Sequence, residues 1–397
     1  VFAGLFLGHT IPGPREIWQK SAPMLAFGNT LAWGQYVIGI VLTLLVLGPV
    51  FGAPPMTGAL LEVGFEGGHG TAAGLAPTFA KLGWPEAGDL ALGLATVSIV
   101  AAIFSGILIL NIHHRRNGHI MGEAAMLEQQ KRMIRNGYNL TRFVNKLETS
   151  PKEIAITLGL FAAAIAMGWG MLQGLVSLEA YLLEGKTPLR FFEYLPLFPL
   201  AMIGGLIVQW VLHKTHQAHL VKRNTVKAFS AIALDVLILS AIATLSLSAI
   251  RDNFAIFIIL TIAGIAWILG AFFFFAPRYF RRYWFENGLT NTGQSMGMTA
   301  TGLLMNRLVD PNNHTHAREA FAYKQLAFEP FMGGGIVTAV AAIVLTEFGQ
   351  IPTLIGVSII FGFWVWLGLR LGQSPKATKR RTGIEKRLGS FASTAQQ

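Results

Sequence analysis

Apolar runs long enough to cross a bilayer alternate along this chain with short polar loops, and the pattern predicts helices from end to end. A helix spanning the hydrocarbon layer needs about 20 apolar residues. Residues 24–51, 86–112, 151–183, 191–213, 226–250, 253–277, 319–346 and 350–372 fit spans, and residues 1–12 fit the tail of another. Ser150-Pro151-Lys152-Glu153 opens the 151–183 helix with a capping box and a proline at the first helical position. Two stretches break the pattern. Residues 54–83 open on Pro54-Pro55 and carry Gly64, Gly67, Gly68, Gly70 and Gly74, so helix propensity is low there. Residues 285–308 hold a second glycine-spaced polar stretch, Thr292-Gly293-Gln294-Ser295-Met296-Gly297-Met298-Thr299. Interrupted apolar segments at matching places in two halves are the best sequence pointer to a transporter binding site.

Composition sharpens this picture. The 397 residues are 53% hydrophobic and only 13% charged, with a mean hydropathy of +0.51. Soluble domains carry about 25% charged residues, so the chain reads as an all-α polytopic membrane protein. The net charge of +11 would suggest nucleic acid in a soluble protein. Here the lysines and arginines gather in short loops between apolar runs, which points to topology and anionic lipid, with no nucleic-acid partner. With no cysteine in the chain, disulfides and thiolate metal sites are excluded. The chain opens on Val1 inside an apolar run, and further helices are expected before it.

Basic loops set the orientation. Segments 113–150, 213–227 and 278–282 and the tail Lys376–Arg387 are all placed inside. Alternating spans then force 54–83 to enter from the outside and 285–308 to enter from the inside. The expected fold is an inverted-topology repeat with two re-entrant hairpins. Residues 1–112 form the N-terminal half with hairpin 54–83, and residues 113–150 a basic cytoplasmic segment. Residues 151–190 are a connecting helix, 191–346 the C-terminal half with hairpin 285–308, and 347–397 an extra span and basic tail.

The candidate chemistry lies in the two breaks. Glu66-Gly67-Gly68-His69-Gly70-Thr71 combines flexible backbone with a carboxylate, an imidazole and a hydroxyl, and a helix starting at Thr71 would turn its N-terminus toward an anion. Gly293, Gln294, Ser295, Gly297, Thr299 and Thr301 are the counterpart, and Thr292 flanks them. Hydroxyls and carbonyls suit a small cation or a polar substrate. Asp235 falls in mid-span, where a carboxylate is costly and marks a functional site by default, or else pairs with Lys324. Lys324 and Glu329 share a span, and Glu62 lies one helical turn before Glu66. His213, His216 and His219, like His113, His114 and His119, sit at the cytoplasmic ends of spans and read as solvated interfacial groups. No GxSxG, HExxH or Walker motif is present, and a membrane-embedded enzyme finds no anchor.

With the hairpins placed, the chain resembles the bacterial glutamate:sodium symporter (ESS) family. Gly67-Gly68-His69-Gly70-Thr71-Ala72-Ala73 is similar to that family's first vertex, with Glu66 where serine is usual. Gly293 to Thr301 is similar to the second vertex, with Ser295 in place of the middle glycine and Ala300 in place of a proline. The hydrophobic layout agrees over residues 1–345, and the last span looks like an addition. The resemblance implies a dimeric, elevator-type carrier in the plasma membrane (the bacterial inner membrane), with sodium as the coupling ion, no cofactor and glutamate as substrate.

The expected function is sodium-coupled symport of glutamate or a similar small carboxylate. The substrate would meet Gly67, Gly68, His69, Gly70, Thr71, Gly293, Gln294, Ser295, Gly297, Thr299 and Thr301, and the cation Glu66, Asp235 and Thr292. A proton-coupled or exchange carrier of another small anion is the alternative. A channel or sensory membrane module is the second.

Overall fold

The computed structural model describes residues 2–8, 13–116, 150–183, 191–311 and 313–373. Most of the basic segment 113–150 and the basic tail lie outside the described residues. Every regular element among the described residues is helical. The first is a 3-10 turn, Phe2–Gly4. Helix α1, Pro14–Leu42, runs on through a π turn at Thr43–Leu47 and a last turn at Gly48–Phe51. It stops at Gly52, whose left-handed φ of 68° ends the helix before Pro54-Pro55. Then follow α2 (Thr57–Phe65), α3 (Gly68–Lys81), α4 (Glu86–Arg116), α5 (Pro151–Leu183), α6 (Leu197–Lys214) and α7 (Arg223–Ala243). The chain continues with α8 (Leu247–Asp252), α9 (Phe254–Tyr279), α10 (Trp284–Ser295), α11 (Thr299–Val309), α12 (Ala317–Phe328), α13 (Ile336–Glu347) and α14 (Gln350–Gln373).

Among the described residues, seven helices are long and apolar enough to cross a membrane: α1 with its extension, α4, α5, α6, α7, α9 and α14. The protein is an all-α, multi-pass membrane protein. Both expected interruptions are real helix breaks, at Glu66-Gly67 and at Met296–Met298. A third break was not expected. Residues 319–346 are two helices, α12 and α13, joined by Glu329–Gly335. Pro330 lacks an amide proton, and Gly333 and Gly334 take φ of 64° and 106°, so no helix continues through this stretch. Residues 2–8 form turns and not the tail of a span.

Two main apolar bodies emerge, with a third small cluster, Leu195, Leu200 and Ala339, between the start of α6 and α13. The larger joins α1 to α4 with α9 to α14, around fully buried side chains such as Phe27, Leu31, Phe65, Phe79 and Phe272. The smaller joins the 2–8 segment to α5, α6 and α7 through Ala3, Leu7, Ala164, Ala201, Val208 and Val226. Small residues let backbones approach closely where no hydrophobic force favours helix over lipid. Gly39 lies on the Gly58 carbonyl, joining α1 to α2, and Gly204 on the Ala164 carbonyl, joining α6 to α5. The N-terminal segment is tied to α7 by Arg223, which donates to the carbonyls of Gly4 (3.1 Å) and Leu7 (2.7 Å).

Candidate functional site

The three breaks meet. Gly68 has a φ of 67°, a conformation that glycine adopts at no steric cost. A Cβ there would stand 3.0 Å from the carbonyl oxygen of Gly297, in the turn between α10 and α11. Gly333, in the third break, donates its amide to Glu62 Oε1 at 3.1 Å and packs on the carbonyl of Glu66.

Neighbouring contacts define how each pair approaches this point. Along α1 and α2, Gln35 faces Glu66, Tyr36 faces Glu62 and Gly39 faces Gly58, so the two helices run antiparallel. Along α3 and α4, His69 Nε2 meets Thr96 Oγ1 at 3.0 Å and Ala76 meets Gly88, again antiparallel. The start of α4 lies beside α8, where Asp89 accepts from the Ser246 amide at 3.0 Å. The start of α10 lies elsewhere, with Gly288 against Ala276 and Phe272 late in α9, and Phe285 stacked on His113 late in α4.

Charge is concentrated at the junction. Glu62 and Glu66 are 0% and 3% exposed, and Lys324 is 0% exposed, the only fully buried lysine or arginine among the described residues. Lys324 hangs between two carboxylates, each reached through a glutamine. Its Nζ donates to Gln294 Oε1 and to Gln325 Oε1, both at 2.8 Å. Gln294 Nε2 in turn donates to Glu66 Oε1 (2.6 Å), and Gln325 Nε2 donates to Glu329 Oε1 (2.9 Å). Thr299 Oγ1 adds a bond to Glu329 Oε1 at 2.8 Å. The faces of Phe321 and Phe328 cover the ammonium, with Nζ 3.5 Å from the Phe328 ring centre. Glu62 belongs to a separate set: Tyr36 OH (2.7 Å), Thr338 Oγ1 (2.8 Å) and the Gly333 amide all donate to it.

Counting both sets, three carboxylates, Glu62, Glu66 and Glu329, lie near the junction with one fully buried ammonium, and the Arg223 guanidinium also acts on Glu329. Burying uncompensated charge costs several kcal/mol per ion, which favours a protonated or cation-bound cluster. Unpartnered oxygen atoms lie on α1 and α10. Gln35 Oε1, Thr292 Oγ1, Asn291 Oδ1 and Ser295 Oγ are buried and lack a well-formed hydrogen bond in the protein. Ser295 lies next to the Glu66 carboxylate, and Gln35 Nε2 bridges that carboxylate (3.4 Å) and the Ser295 carbonyl (3.3 Å). Buried polar groups are paired in the large majority of cases, so a group of unpaired oxygens is an unusual local feature.

A cavity of about 320 Å³ opens beside the junction. One wall is Gly67 to Gly70, at the start of α3, and another is Met298 to Ala300, at the start of α11. Glu329 and Gly333 come from the third break, and Leu234 and Ile238 from α7. The two apolar bodies thus both contribute to it.

The residues expected from sequence divide into four groups. Gly67, Gly68, His69, Gly70 and Thr299 line the cavity. Glu66, Thr71, Gln294, Ser295 and Thr292 are buried in or beside the polar cluster. Gly293, Gly297 and Thr301 pack within the α10–α11 pair, with Gly293 against Met305 and Gly297 against Thr301. Asp235 is exposed on α7 and makes no hydrogen bond or ion pair with Lys324, whose partners are Gln294 and Gln325. The residue pattern does not single out Gln35, Tyr36 or Gln325. The available signal was polarity inside α1, where Gln35-Tyr36 interrupts an apolar stretch.

No protein-family model, curated protein or solved structure matches the chain.

Proposed function

We propose that the protein is a secondary active carrier that couples uptake of a small carboxylate, with glutamate as the family expectation, to sodium. In this reading α2–α3 and α10–α11 are re-entrant hairpins of opposite entry, and the chain is an inverted-topology repeat. The contacts above support it. The end of α3 lies toward the start of α4, whereas α10 starts beside the late turns of α4 and α9. Irregular backbone at membrane depth is tolerated only where it is buried in protein or lines a cavity, and these turns do both. The smaller body of α5, α6 and α7 would be the scaffold against which the larger one moves.

One observation carries the reading: the N-termini of α3 and α11 face one cavity from different elements. Helix N-termini attract anions. Sodium would bind at Glu66 with Gln35, Thr292 and Ser295, offset the excess negative charge, and brace the two turns that hold the carboxylate. Each ligand would then raise the affinity for the other by the same factor. The buried ammonium of Lys324 supports a second reading, in which a tethered cation takes the place of sodium and protons drive transport.

Uptake of labelled glutamate and other small carboxylates into proteoliposomes tests both. Accumulation driven by an inward sodium gradient is the expected result. Accumulation with a proton gradient alone would support the second reading, and no gradient-driven accumulation of any carboxylate would end both.

A further inference from the structure

A chain of hydrogen bonds crosses the centre of the molecule and ends in the cavity wall. A lysine ammonium only donates, so Lys324 turns the Oε1 atoms of Gln294 and Gln325 toward itself, both at 2.8 Å. The two Nε2 atoms must then point outward, and each finds a carboxylate. Gln294 donates to Glu66 Oε1 (2.6 Å) and Gln325 to Glu329 Oε1 (2.9 Å). Gln325 Nε2 also donates to Thr299 Oγ1 at 2.7 Å, and that hydroxyl donates to Glu329 at 2.8 Å. Glu66 stands at one end of the chain, while Thr299 and Glu329, at the other, line the cavity. The ammonium holds each glutamine in one orientation, and bonds in such a series polarise one another.

Lys324 is closely seated. Phe321 and Phe328 put their ring faces over Nζ, at 5.7 and 3.5 Å, and a Cβ at Gly28 on α1 would stand 2.9 Å from it. One buried positive charge is thus shared by two carboxylates that belong to different breaks in the helices. Arg223 acts on Glu329 as well. When a proton or a bound cation neutralises Glu66, Lys324 balances Glu329 alone, and the cavity wall loses negative character. A carboxylate in the cavity then meets less repulsion.

We infer that Lys324, with Gln294 and Gln325, is a relay that carries the charge state of Glu66 to the cavity wall at Thr299 and Glu329. Lys324 is in this a positioning residue, acting through two glutamines. The relay deepens the proposed carrier and rests on that reading for its use: a cation at Glu66 would admit an anion to the cavity without touching it. The relay itself involves only groups of this chain.

The chain has no cysteine, so Ala300→Cys places a single thiol at an exposed position of the cavity wall, next to Thr299. The purified full chain in detergent is modified with two methanethiosulfonates of similar size, the anionic sulfonatoethyl and the cationic trimethylammonioethyl reagent. The ratio of their rates reads local charge, because access is common to both. Adding Glu66→Gln should raise the anionic-to-cationic ratio about fivefold, the order expected for one partly screened charge. With Gln294→Leu also present the rise should fall below about twofold, because the path is cut while the carboxylate is still removed. Gln325→Leu cuts the other arm and carries the same expectation, should Gln294→Leu fail to fold. Glu62→Gln is the control. Glu62 takes its bonds from Tyr36, Thr338 and Gly333, off the relay, and its loss should change the ratio by less than about twofold. An unchanged ratio in Glu66→Gln, an equal rise with the path cut, or an equal rise in Glu62→Gln would each overturn the relay. The expected ratios without gradient-driven uptake in proteoliposomes would keep the relay and end the carrier. Gradient-driven uptake with a ratio that Glu66→Gln leaves unchanged would do the reverse.

Discussion

The two turns that meet at the centre of this protein are built from different chemistry. The turn between α2 and α3 carries charge, and its charges are engaged: Glu66 accepts from Gln294 and Gln35, and Glu62 accepts from three donors. The last turns of α10, leading into the second break, carry only amides and hydroxyls, and Asn291 and Thr292 among them are unpaired. The carboxylates by the first turn are held by the protein, while both sides leave buried neutral groups to spare, Thr71 Oγ1 and His69 Nδ1 by the first and Asn291 and Thr292 by the second. The difference teaches that neither is complete alone. Gln294, from the second, joins the carboxylate of the first to Lys324 on α12, so charge balance is shared across three elements far apart in the chain.

The largest way to break this comparison is to remove its shared cation. Lys324→Met leaves Glu66 and Glu329 without their buried partner and should cost about 3–5 kcal/mol of stability. Thermal unfolding in detergent would show it, and Glu66→Gln in the same chain should recover part of the loss. If Lys324→Met unfolds at the unaltered temperature, the ammonium does not balance the cluster.

Next comes the engaged turn. Glu62→Ala leaves the Tyr36 hydroxyl, the Thr338 hydroxyl and the Gly333 amide unpaired, at roughly 1–3 kcal/mol for each group that finds no water. Tyr36→Phe should cost only about 1 kcal/mol, because one hydrogen bond is lost and Glu62 keeps two donors. Equal losses for the two variants would contradict the arrangement around Glu62.

A smaller effect is expected at the contact between the turns. Gly68→Ala places a methyl group beside the Gly297 carbonyl and forces a left-handed φ on alanine, at about 1–2 kcal/mol. Gly70→Ala, at a position with ordinary φ and only ordinary contacts from Leu234 and Leu237, is the control and should be close to neutral.

The smallest change sharpens the comparison most. Ser295→Ala removes a hydroxyl with no well-formed bond, so stability without added ions should fall by about 0.5 kcal/mol or less. The rise in melting temperature on adding sodium should shrink by more than half if this hydroxyl helps hold the ion. An unchanged sodium response would take Ser295 out of any cation site.

Much of this architecture was legible in the residue pattern. The glycine clusters at 64–74 and 293–297 marked two breaks, because glycine inside an apolar run weakens helix where lipid offers the backbone no other partner. Ser150-Pro151 marked the start of α5 at the right residue. The third break was harder to see. Gly333-Gly334-Gly335 was visible, but Phe328, Phe331 and Met332 around it kept the stretch apolar enough to pass as part of a span. The candidate site was legible in kind and not in membership. Glu66, Gln294 and Thr299 stood inside the breaks, whereas Gln35 and Tyr36 sit in an unbroken helix and Gln325 in a segment taken for a plain span.

Sequence alone determined which parts of the chain are apolar helix, where backbone must leave the helix, and which polar side chains ride on those places. These are local properties, set by side-chain transfer energies and by glycine and proline geometry. Only the tertiary structure decided that Glu66 and Lys324, 258 positions apart by subtraction of their numbers, share one glutamine, and that Lys324 bonds Gln294 and Gln325 and not Asp235. Pairing of buried charges depends on which helices lie side by side, and in this chain close small-residue packing such as Gly39 on Gly58 helps set that neighbourhood.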